Sequence, residues 1–300
     1  MSLLVVGSIG IDDIETPTAK RERIYGGSAI HFSFAASFFT TVRLVGVAGD
    51  DWPSECTEAL SERGVDTIGL QIKPGGKTFR WGGKYSEDMN ERETLFTELN
   101  VLGEFDPVVP ELYRSCNVVF LANGVPQVQH KVMDQLPGAH LTVADTMDLW
   151  INMQRESLDA LLKRLSGLVL NDAEARLLTG EHNLVTAGHR AREMGPKFVV
   201  IKKGEHGAMF FSEHETYVMP AYPTENVVDP TGAGDSFAGG MMGYLAEKNA
   251  FDPKTLKEAL AYGMLTASFN VEDFSSDRML RLTREELDQR MAEYRKMLSF

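Results

Sequence analysis

The sequence predicts an α/β protein with a central, mostly parallel β-sheet flanked by helices. Short apolar runs rich in β-branched residues recur along the chain, and such runs are typical of strands buried on both faces. They lie at residues 3–9, 42–49, 117–123, 141–145, 167–171 and 197–204. Helical patterns separate these runs, and strands that alternate with helices favour a parallel sheet in a layered architecture.

The helical segments are predicted from composition and from end signals. Residues 28–39 are almost entirely apolar, which predicts a buried helix. Residues 154–165 are amphipathic, and residues 172–180 end on a glycine suited to a helix C-cap. Residues 284–298 have the pattern of an amphipathic surface helix, to which we assign no chemistry.

Residues 70–98 have a different pattern, in which apolar and polar residues alternate around two turn signals, Pro74-Gly75-Gly76 and Gly82-Gly83. Alternation with such turns is typical of antiparallel hairpins. Together with a polar strand at 11–18, they predict a small antiparallel β lid beside the main sheet. We expect residues 1–300 to form a single domain that carries this lid.

Composition and charge narrow the class of protein. With 43% hydrophobic and 24% charged residues, the chain has the composition of a globular protein. A net charge of -13 argues against nonspecific binding to nucleic acid or anionic membranes. The two cysteines fit no metal or disulfide pattern, and we find neither a signal peptide nor an apolar run of membrane-spanning length. We therefore expect a cytoplasmic protein.

A glycine-rich turn late in the chain predicts an anion site. Gly232, Ala233 and Gly234 have minimal side chains, so the backbone can direct successive N–H groups at one point. A helix is predicted at about residues 235–247, and the first N–H groups of a helix are unpaired and carry partial positive charge. These features suit a phosphoryl group. The sequence contains no G-x-x-x-x-G-K-[ST] pattern, so this turn is not a P-loop.

Asp235 lies at the mouth of this predicted anion site. A carboxylate there would repel a phosphate unless another group lay between them, and a substrate hydroxyl meets that need. The hydroxyl would donate a hydrogen bond to Asp235, lose its proton there and attack the phosphorus held by the Gly232–Gly234 amides. The alternative interpretation is that Asp235 only caps the helix, as aspartates often do.

The run Asp229–Gly240, DPTGAGDSFAGG, matches the C-terminal signature of the ribokinase-like (PfkB) carbohydrate kinases. The resemblance extends over the whole chain in length, strand order, early lid and late anion site. It implies a ribokinase-like fold and ATP-dependent phosphorylation of an alcohol group. It also implies that Asp235 is the catalytic base, so the anion-site interpretation is favoured over the helix cap.

The same resemblance assigns residues to the nucleotide and its metal ion. Asn171 and Glu174 match an N-x-x-E motif that helps to organise Mg²⁺, with Glu174 acting through water; a simple helix start is the alternative. The resemblance implies a monovalent-cation site, for K⁺, at Asp229. The other residues assigned to nucleotide binding are Lys203, Gly204 and Gly207 after the strand at 197–204, and Thr231 in the signature.

On the acceptor side the resemblance is weaker. Residues assigned to the acceptor are Asp12, Gly26, Gly27, His31, Asn123 and Asp145. His31 stands where the family has an asparagine, so it either contacts the acceptor or is an ordinary core histidine. The run from Asp145 to Trp150 lacks the arginine that many sugar kinases carry there. In the lid, Lys77, Arg80 and Trp81 are either acceptor contacts or solvated strand residues.

These features predict an ATP- and Mg²⁺-dependent kinase for a hydroxyl of a small sugar or polyol. The alternatives are a nucleoside kinase of the adenosine kind and a catalytically idle regulator that binds ligands with the same fold. The acceptor's identity is left open by the sequence. Relatives often dimerise through the lid sheet, so we expect a homodimer.

Overall fold

The computed structural model describes residues 2–299. The strands are β1 (Leu3–Val6), β2 (Gly10–Glu15), β3 (Lys20–Gly26), β4 (Val42–Gly49), β5 (Val65–Lys73), β6 (Phe79–Tyr85), β7 (Arg92–Glu98), β8 (Val118–Leu121), β9 (Leu141–Asp145), β10 (Gly167–Asn171), β11 (Phe198–Lys202), β12 (Ala208–Ser212) and β13 (Thr216–Met219). The α-helices are α1 (Ser28–Ala36), α2 (Ser54–Glu62), α3 (Pro126–Gln135), α4 (Asp148–Met153), α5 (Arg155–Leu162), α6 (Asp172–Thr179), α7 (Leu184–Glu193), α8 (Ala233–Lys248), α9 (Pro253–Asn270), α10 (Asp277–Arg281) and α11 (Arg284–Met297).

The large sheet has the strand order β13-β12-β11-β10-β9-β8-β1-β4-β5. Pairing is parallel from β11 to β5, and β12 and β13 add an antiparallel edge. Apolar strand residues supply a buried cluster on each face, one packed with α1, α8 and α9 and the other with α3, α5 and α7. The predicted α/β architecture is therefore confirmed, and each predicted run contains a strand of this sheet.

The predicted helices are also present. The apolar segment forms α1, in which every residue is buried, and α6 ends on Gly180 in the left-handed conformation. The amphipathic segments form α5 and α11. Among residues 2–299, no helix is both long and apolar enough to cross a membrane.

A second, four-stranded sheet has the order β3-β2-β6-β7. Its outer pairs are antiparallel, and β2 and β6 run parallel at its centre. The predicted lid segments, 11–18 and 70–98, overlap with this sheet but differ from it. Residues 70–73 belong to β5 of the large sheet, and β3 (Lys20–Gly26) is an additional strand.

Of the two turns predicted in residues 70–98, one is present and the other is not. Gly76 N–H donates to the Lys73 carbonyl at 3.1 Å, so the first is a turn, which joins the two sheets. Gly82 and Gly83, predicted as a turn, lie inside β6 at a shift of its register with β7. A Cβ at Gly82 would lie 2.3 Å from the Phe96 ring, and one at Gly83 would lie 2.1 Å from the Trp81 ring. These glycines thus make room for aromatic side chains.

Helix α8 lies in the core between α1 and α9. A Cβ at Gly239 would lie 2.4 Å from the Phe32 carbonyl oxygen, and one at Gly240 would lie 2.2 Å from Thr266. Close approach on both sides therefore requires glycine, and it fixes where α8 begins. In the large sheet the strand order reverses between β1 and β8, and ligands of open α/β sheets bind outside the carboxyl ends of strands at such a point.

Candidate active site

Three neighbouring parallel strands end on polar side chains at the same edge of the large sheet. Asp145 ends β9, Asn171 ends β10 and Lys202 ends β11. Asn171 is paired in register with Lys202, and Val169 with Asp145. The parallel ladder thus brings an acid, an amide and an amine to one end of the sheet.

The N-terminus of α8 faces this edge. Gly232 is its N-cap residue, with φ 76 in the left-handed region that favours glycine. Ala233 N–H donates to the Pro230 carbonyl at 3.2 Å, so this amide, predicted for the anion site, has an internal acceptor. Among residues 2–299, no backbone acceptor is bonded to the N–H of Gly234 or Asp235. Two free donors therefore remain at the positive end of α8.

Asp235 lies in the first turn of α8 and is mostly buried. Burial, reinforced by the Asp145 charge, raises its pKa from 3.8 to about 7, while Lys202 and Arg92 act in the opposite direction. A carboxylate whose pKa lies near neutrality suits a general base, because it is largely available as a base yet holds a proton well. No cap hydrogen bond from a side chain is found at this helix start.

Lys202 was missed in the sequence, where only Lys203 was assigned. Its Nζ lies 3.3 Å from Asp145 Oδ2. Burial opposes its charged form, but the charges of Asp145, Glu174 and Asp235 outweigh that effect and raise its pKa. One signal in the sequence could have identified Lys202: it is the last residue of a predicted buried strand, and ligands bind at the carboxyl ends of the strands in such sheets.

Asn171 and Glu174 form a capping box at the start of α6. Glu174 N–H donates to Asn171 Oδ1 at 2.8 Å, and Asn171 N–H donates to Glu174 Oε2 at 2.7 Å. The helix-start alternative is thus realised in the geometry, and Oε1 of Glu174 remains for another partner. Burial and the nearby Asp145 charge raise the pKa of Glu174 to about 7.

The donor set fits a hydrated Mg²⁺. Burial raises the pKa of Asp145, Glu174 and Asp235, and the Asp145 charge raises the pKa of the other two further, so a nearby cation would stabilise their charged forms. No three acidic, histidine or cysteine side chains between residues 2 and 299 converge as metal ligands. Mg²⁺ commonly binds through one or two carboxylates, waters and substrate phosphates, which is compatible with this arrangement.

The turn after β11 is tight. Lys203 N–H donates to the Gly207 carbonyl at 2.7 Å, and both glycines of the predicted K-G-x-x-G loop have positive φ. A Cβ at Gly207 would lie 2.0 Å from the Met219 carbonyl oxygen, so β13 leaves no room there. From the small sheet, Asn90 contacts Glu205 at 3.5 Å, which brings the β6–β7 connection to this loop.

Asp229 and Thr231 brace the loop before α8. Asp229 is fully buried, and its carboxylate accepts the N–H of Thr231 at 2.9 Å and the N–H of Ser275 at 3.0 Å. Both carboxylate oxygens thus already stabilise the loop at the position predicted for K⁺. Tyr85 of β6 lies 3.0 Å from the Thr231 hydroxyl, so the small sheet contacts this loop directly.

Asp12, in β2, is enclosed beside the same loop. Burial, with the charges of Asp229, Asp13 and Asp235, raises its pKa to about 8. Its Oδ1 has no hydrogen-bond partner among residues 2–299, and a Cβ at Gly26 would lie 2.0 Å from its Oδ2. Gly27, with φ 97, packs against the Ser8 carbonyl. The predicted diglycine thus makes room for the Asp12 carboxyl group and leaves one oxygen free for a ligand.

His31 of α1 packs directly on the glycine that begins α8. A Cβ at Gly232 would lie 2.3 Å from the imidazole ring. Burial lowers the His31 pKa to about 4, so the ring is neutral at pH 7. Asn270 lies close to it, but the Asn270 amide already accepts from Ser236 and donates to the Thr231 carbonyl. Within residues 2–299, neither ring nitrogen has a partner at hydrogen-bonding geometry.

Two residues assigned to the acceptor have protein partners. Asn123, just after β8, accepts from Trp150 Nε1 at 2.9 Å and contacts the Met147 sulfur. Asp145 accepts from the N–H of Thr146 at 2.8 Å as well as from Lys202. The structure therefore brings Asp145 to the α8 end of the site together with Lys202.

The small sheet contributes an arginine that the sequence interpretation did not select. Arg92, at the start of β7, lowers the pKa of Asp235 and of Glu174 and lies 5.5 Å from the Trp81 ring. Arg80, by contrast, pairs with Asp13 at 2.7 Å within the sheet itself. Arg92 thus brings positive charge from this sheet towards Asp235 and Glu174, and Trp81 lies next to Arg92.

Known proteins resemble this chain over most of its length. Residues 2–281 match the pfkB family carbohydrate kinases. A cytidine kinase of Thermococcus kodakarensis is 32% identical over 248 residues, which are 81% of this chain and 87% of that protein. A ribokinase of Haemophilus influenzae is 27% identical, with 96% of this chain and 97% of that protein covered.

Among solved structures, a putative ribokinase II from E. coli in complex with ATP and Mg²⁺ has a TM-score of 0.80 at 19% identity. The alignment covers 97% of this chain and 99% of that one. This likeness confirms the predicted ribokinase-like fold, and the match over nearly the whole sequence identifies the relationship. The chain belongs to the pfkB family of carbohydrate kinases.

Proposed function

We propose that this protein transfers the γ-phosphate of ATP, with Mg²⁺, to a hydroxyl group of a small sugar or polyol. The observation that carries the proposal is Asp235, an enclosed carboxylate with a pKa of about 7, placed beside free N–H donors at the start of α8. A base and an anion site that share one helix turn suit an alcohol attacking a phosphoryl group.

The acceptor lies between two carboxyl groups in this mechanism. Asp12 accepts a hydrogen bond from one acceptor hydroxyl through its unpartnered Oδ1. Asp235 accepts the proton of the attacking hydroxyl, and the Asp235 charge contributes to the raised pKa of Asp12, which supports an acceptor position between the two carboxyl groups. The Gly234 and Asp235 N–H groups stabilise the charge of the transferring group.

We assign the metal and the nucleotide to the residues around Glu174. Glu174 would hold a hydrated Mg²⁺ through its remaining oxygen, and its capping box with Asn171 fixes the side chain. Mg²⁺ held there would supply positive charge for the phosphates. The tight turn at Lys203–Gly207 and the Thr231 loop border the nucleotide. A K⁺ ion at Asp229 would be supported by backbone carbonyls, and exchanging K⁺ for tetramethylammonium tests it.

A nucleoside is the second candidate acceptor. It is favoured by the 32% identity to a cytidine kinase and by Trp81, whose ring adjoins Arg92 beside the site. An indole at this position can stack on the planar face of a base. The two candidates share the same chemistry at Asp235 and differ only in what Trp81 contacts.

The test is ADP formation from ATP and Mg²⁺ with a panel of sugars, polyols and nucleosides, using Asp235→Asn as the matched control. We expect one acceptor class to give turnover that the control loses. Acceptors that bind by calorimetry without ADP formation would instead identify the idle regulator. Activity with nucleosides alone would overturn the sugar assignment.

Assembly and location are part of the same proposal. The small sheet has exposed apolar side chains on β7 and just after it, Leu95 and Leu99. A homodimer formed through the small sheet would cover these two side chains and the sheet edges. Light scattering of a charge substitution at Leu95 would test that arrangement. A kinase that uses cellular ATP and keeps Cys56 and Cys116 as free buried thiols suits the cytoplasm.

A further inference from the structure

The Lys202 ammonium group has spare hydrogen-bonding capacity at the α8 end of the site. An ammonium has three N–H donors. Within residues 2–299, its one recorded hydrogen bond is to Asp145 Oδ2 at 3.3 Å, longer than the roughly 2.8 Å typical of a charge-assisted pair. Its side chain is 18% exposed, against 7% for Asp145, so the lysine is the more accessible partner of the pair.

Gly234 explains how the amine reaches this position. A Cβ at Gly234 would lie 2.8 Å from Lys202 Nζ. Any side chain at residue 234 would therefore push the amine away. Gly234 has no positive φ, so the contact with Lys202 is what a side chain at this position would disturb. The second position of α8 thus leaves room for the amine where it lies.

A cation beside a helix N-terminus is electrostatically unfavourable by itself, because both carry positive charge. Three carboxyl groups, Asp145, Glu174 and Asp235, offset that charge without a bound ligand. One of them, Asp145, holds Lys202 loosely. A phosphate brought to the Gly234 and Asp235 N–H groups would meet the amine at the same point, and it would carry more charge than one carboxylate.

We propose that Lys202 is a catalytic residue that exchanges its ion pair with Asp145 for the γ-phosphoryl group of the nucleotide. This inference rests on the proposed kinase function. The acceptor oxygen forms its bond to the γ-phosphorus while the bond from that phosphorus to the β–γ bridging oxygen breaks. The acceptor proton passes to Asp235, and ADP leaves. Lys202 keeps its own protons throughout and donates hydrogen bonds to the oxygens that carry the charge in flight.

The nucleotide itself provides the test, since ATP carries the γ-phosphate and ADP does not. The affinities of ADP and of the non-hydrolysable β,γ-imido analogue of ATP are measured by calorimetry with Mg²⁺ and without acceptor. For Lys202→Met we expect affinity for the analogue to fall about 10- to 100-fold, as for loss of hydrogen bonds to a charged group, and ADP affinity to change less than 3-fold.

Three further variants control the comparison. Lys197→Met removes an exposed lysine just before the same strand and should change neither affinity. Lys202→Arg keeps the charge and should retain most of the preference for the analogue. Lys202→Gln is a second neutral variant, and its amide can still pair with Asp145. It should lose the preference for the analogue as Lys202→Met does, and it serves as the folded neutral variant if Lys202→Met is unstable.

Equal weakening of both nucleotides in the two neutral variants would make Lys202 a structural neutraliser of the carboxyl cluster and overturn the inference. An unchanged preference for the analogue would overturn it as well. A wild-type protein that binds neither nucleotide would instead contradict the proposed function, so the two failures are distinguishable.

Discussion

Replacing the proposed base should inactivate the enzyme and at the same time stabilise its fold. Asp235→Asn preserves size and removes basicity, so kcat should fall by about 10²–10⁴. The carboxyl group is costly to the folded state because burial raises its pKa from 3.8 to about 7. At roughly 1.4 kcal/mol per pH unit, that shift corresponds to at most about 4 kcal/mol.

The expected gain in the free energy of unfolding of Asp235→Asn is smaller, since the Asp235 side chain keeps some contact with water. We expect this gain to be about 2 kcal/mol at pH 8. With an unfolding entropy of about 2 cal/mol/K per residue, this raises the Tm of a chain of this length by about 3 °C. Calorimetry of the two proteins without ligand measures it.

The pH dependence follows from the direction of the shift. The folded state holds the Asp235 proton more tightly than the unfolded state does, so wild-type stability falls as pH rises from about 4 to about 7. The Asn variant lacks this loss. Its advantage should therefore be greatest above pH 7 and should shrink as the pH falls towards 4.

Asp148→Asn is the matched control, because Asp148 also lies in the first turn of a helix but is exposed. Removing its favourable interaction with the helix dipole should lower the free energy of unfolding by up to about 0.5 kcal/mol. An Asp235→Asn protein that is no more stable than wild type at pH 8 would show that the enclosed carboxylate is not held at an energetic cost.

Four further outcomes are expected. Glu174→Gln keeps a residue that can form the capping box, so the free energy of unfolding should not change. Because a carboxylate is lost, the Mg²⁺ concentration needed for half-maximal activity should rise, and an unchanged Mg²⁺ dependence would mean that the motif only starts a helix. Asp12→Ala should weaken acceptor binding at least 10-fold with little effect on ATP, and equal losses would contradict the assignment. Gly232→Ala adds a methyl group 2.3 Å from the His31 ring and should reduce kcat at least 100-fold. Its control is Gly180→Ala, where the glycine has φ 74 but open space around it; this change should lower the free energy of unfolding by only about 1 kcal/mol and keep activity. Amide exchange in residues 79–98 should slow as acceptor saturates the site, and flat protection would mean that the small sheet does not close.

The sequence was sufficient for the six strands of the large sheet that it predicted, because each is a mostly apolar run, as two-sided burial requires. In the same sheet, β5 was partly assigned to the lid, and β12 and β13 were not predicted. It failed in the small sheet, where Gly82 and Gly83 have the composition of a turn but serve aromatic packing from Phe96 and Trp81. β3 escaped notice because it is polar and largely exposed, with no apolar alternation to detect.

The candidate site shows the same division. Asp235 and the glycine turn could be assigned because their roles depend on neighbours in the sequence. Lys202 could not be distinguished from Lys203 by pattern, since its role arises from contacts with Asp145 and Gly234, which lie far away along the chain. His31 was given two interpretations, an acceptor contact and a core histidine, and its position against Gly232 is visible only in three dimensions.

The packing of α8 between α1 and α9 has a consequence for how the substrate range can evolve. Gly239 and Gly240 each face a neighbouring helix at a distance that no larger residue could occupy, so substitutions there would displace the start of α8 and with it the amides that we propose to bind phosphate. Asp12 and Trp81, which we propose to contact the acceptor, belong instead to the small sheet. On this proposal, new acceptors would be acquired by mutation of the small sheet, while the half that transfers phosphate stays the same.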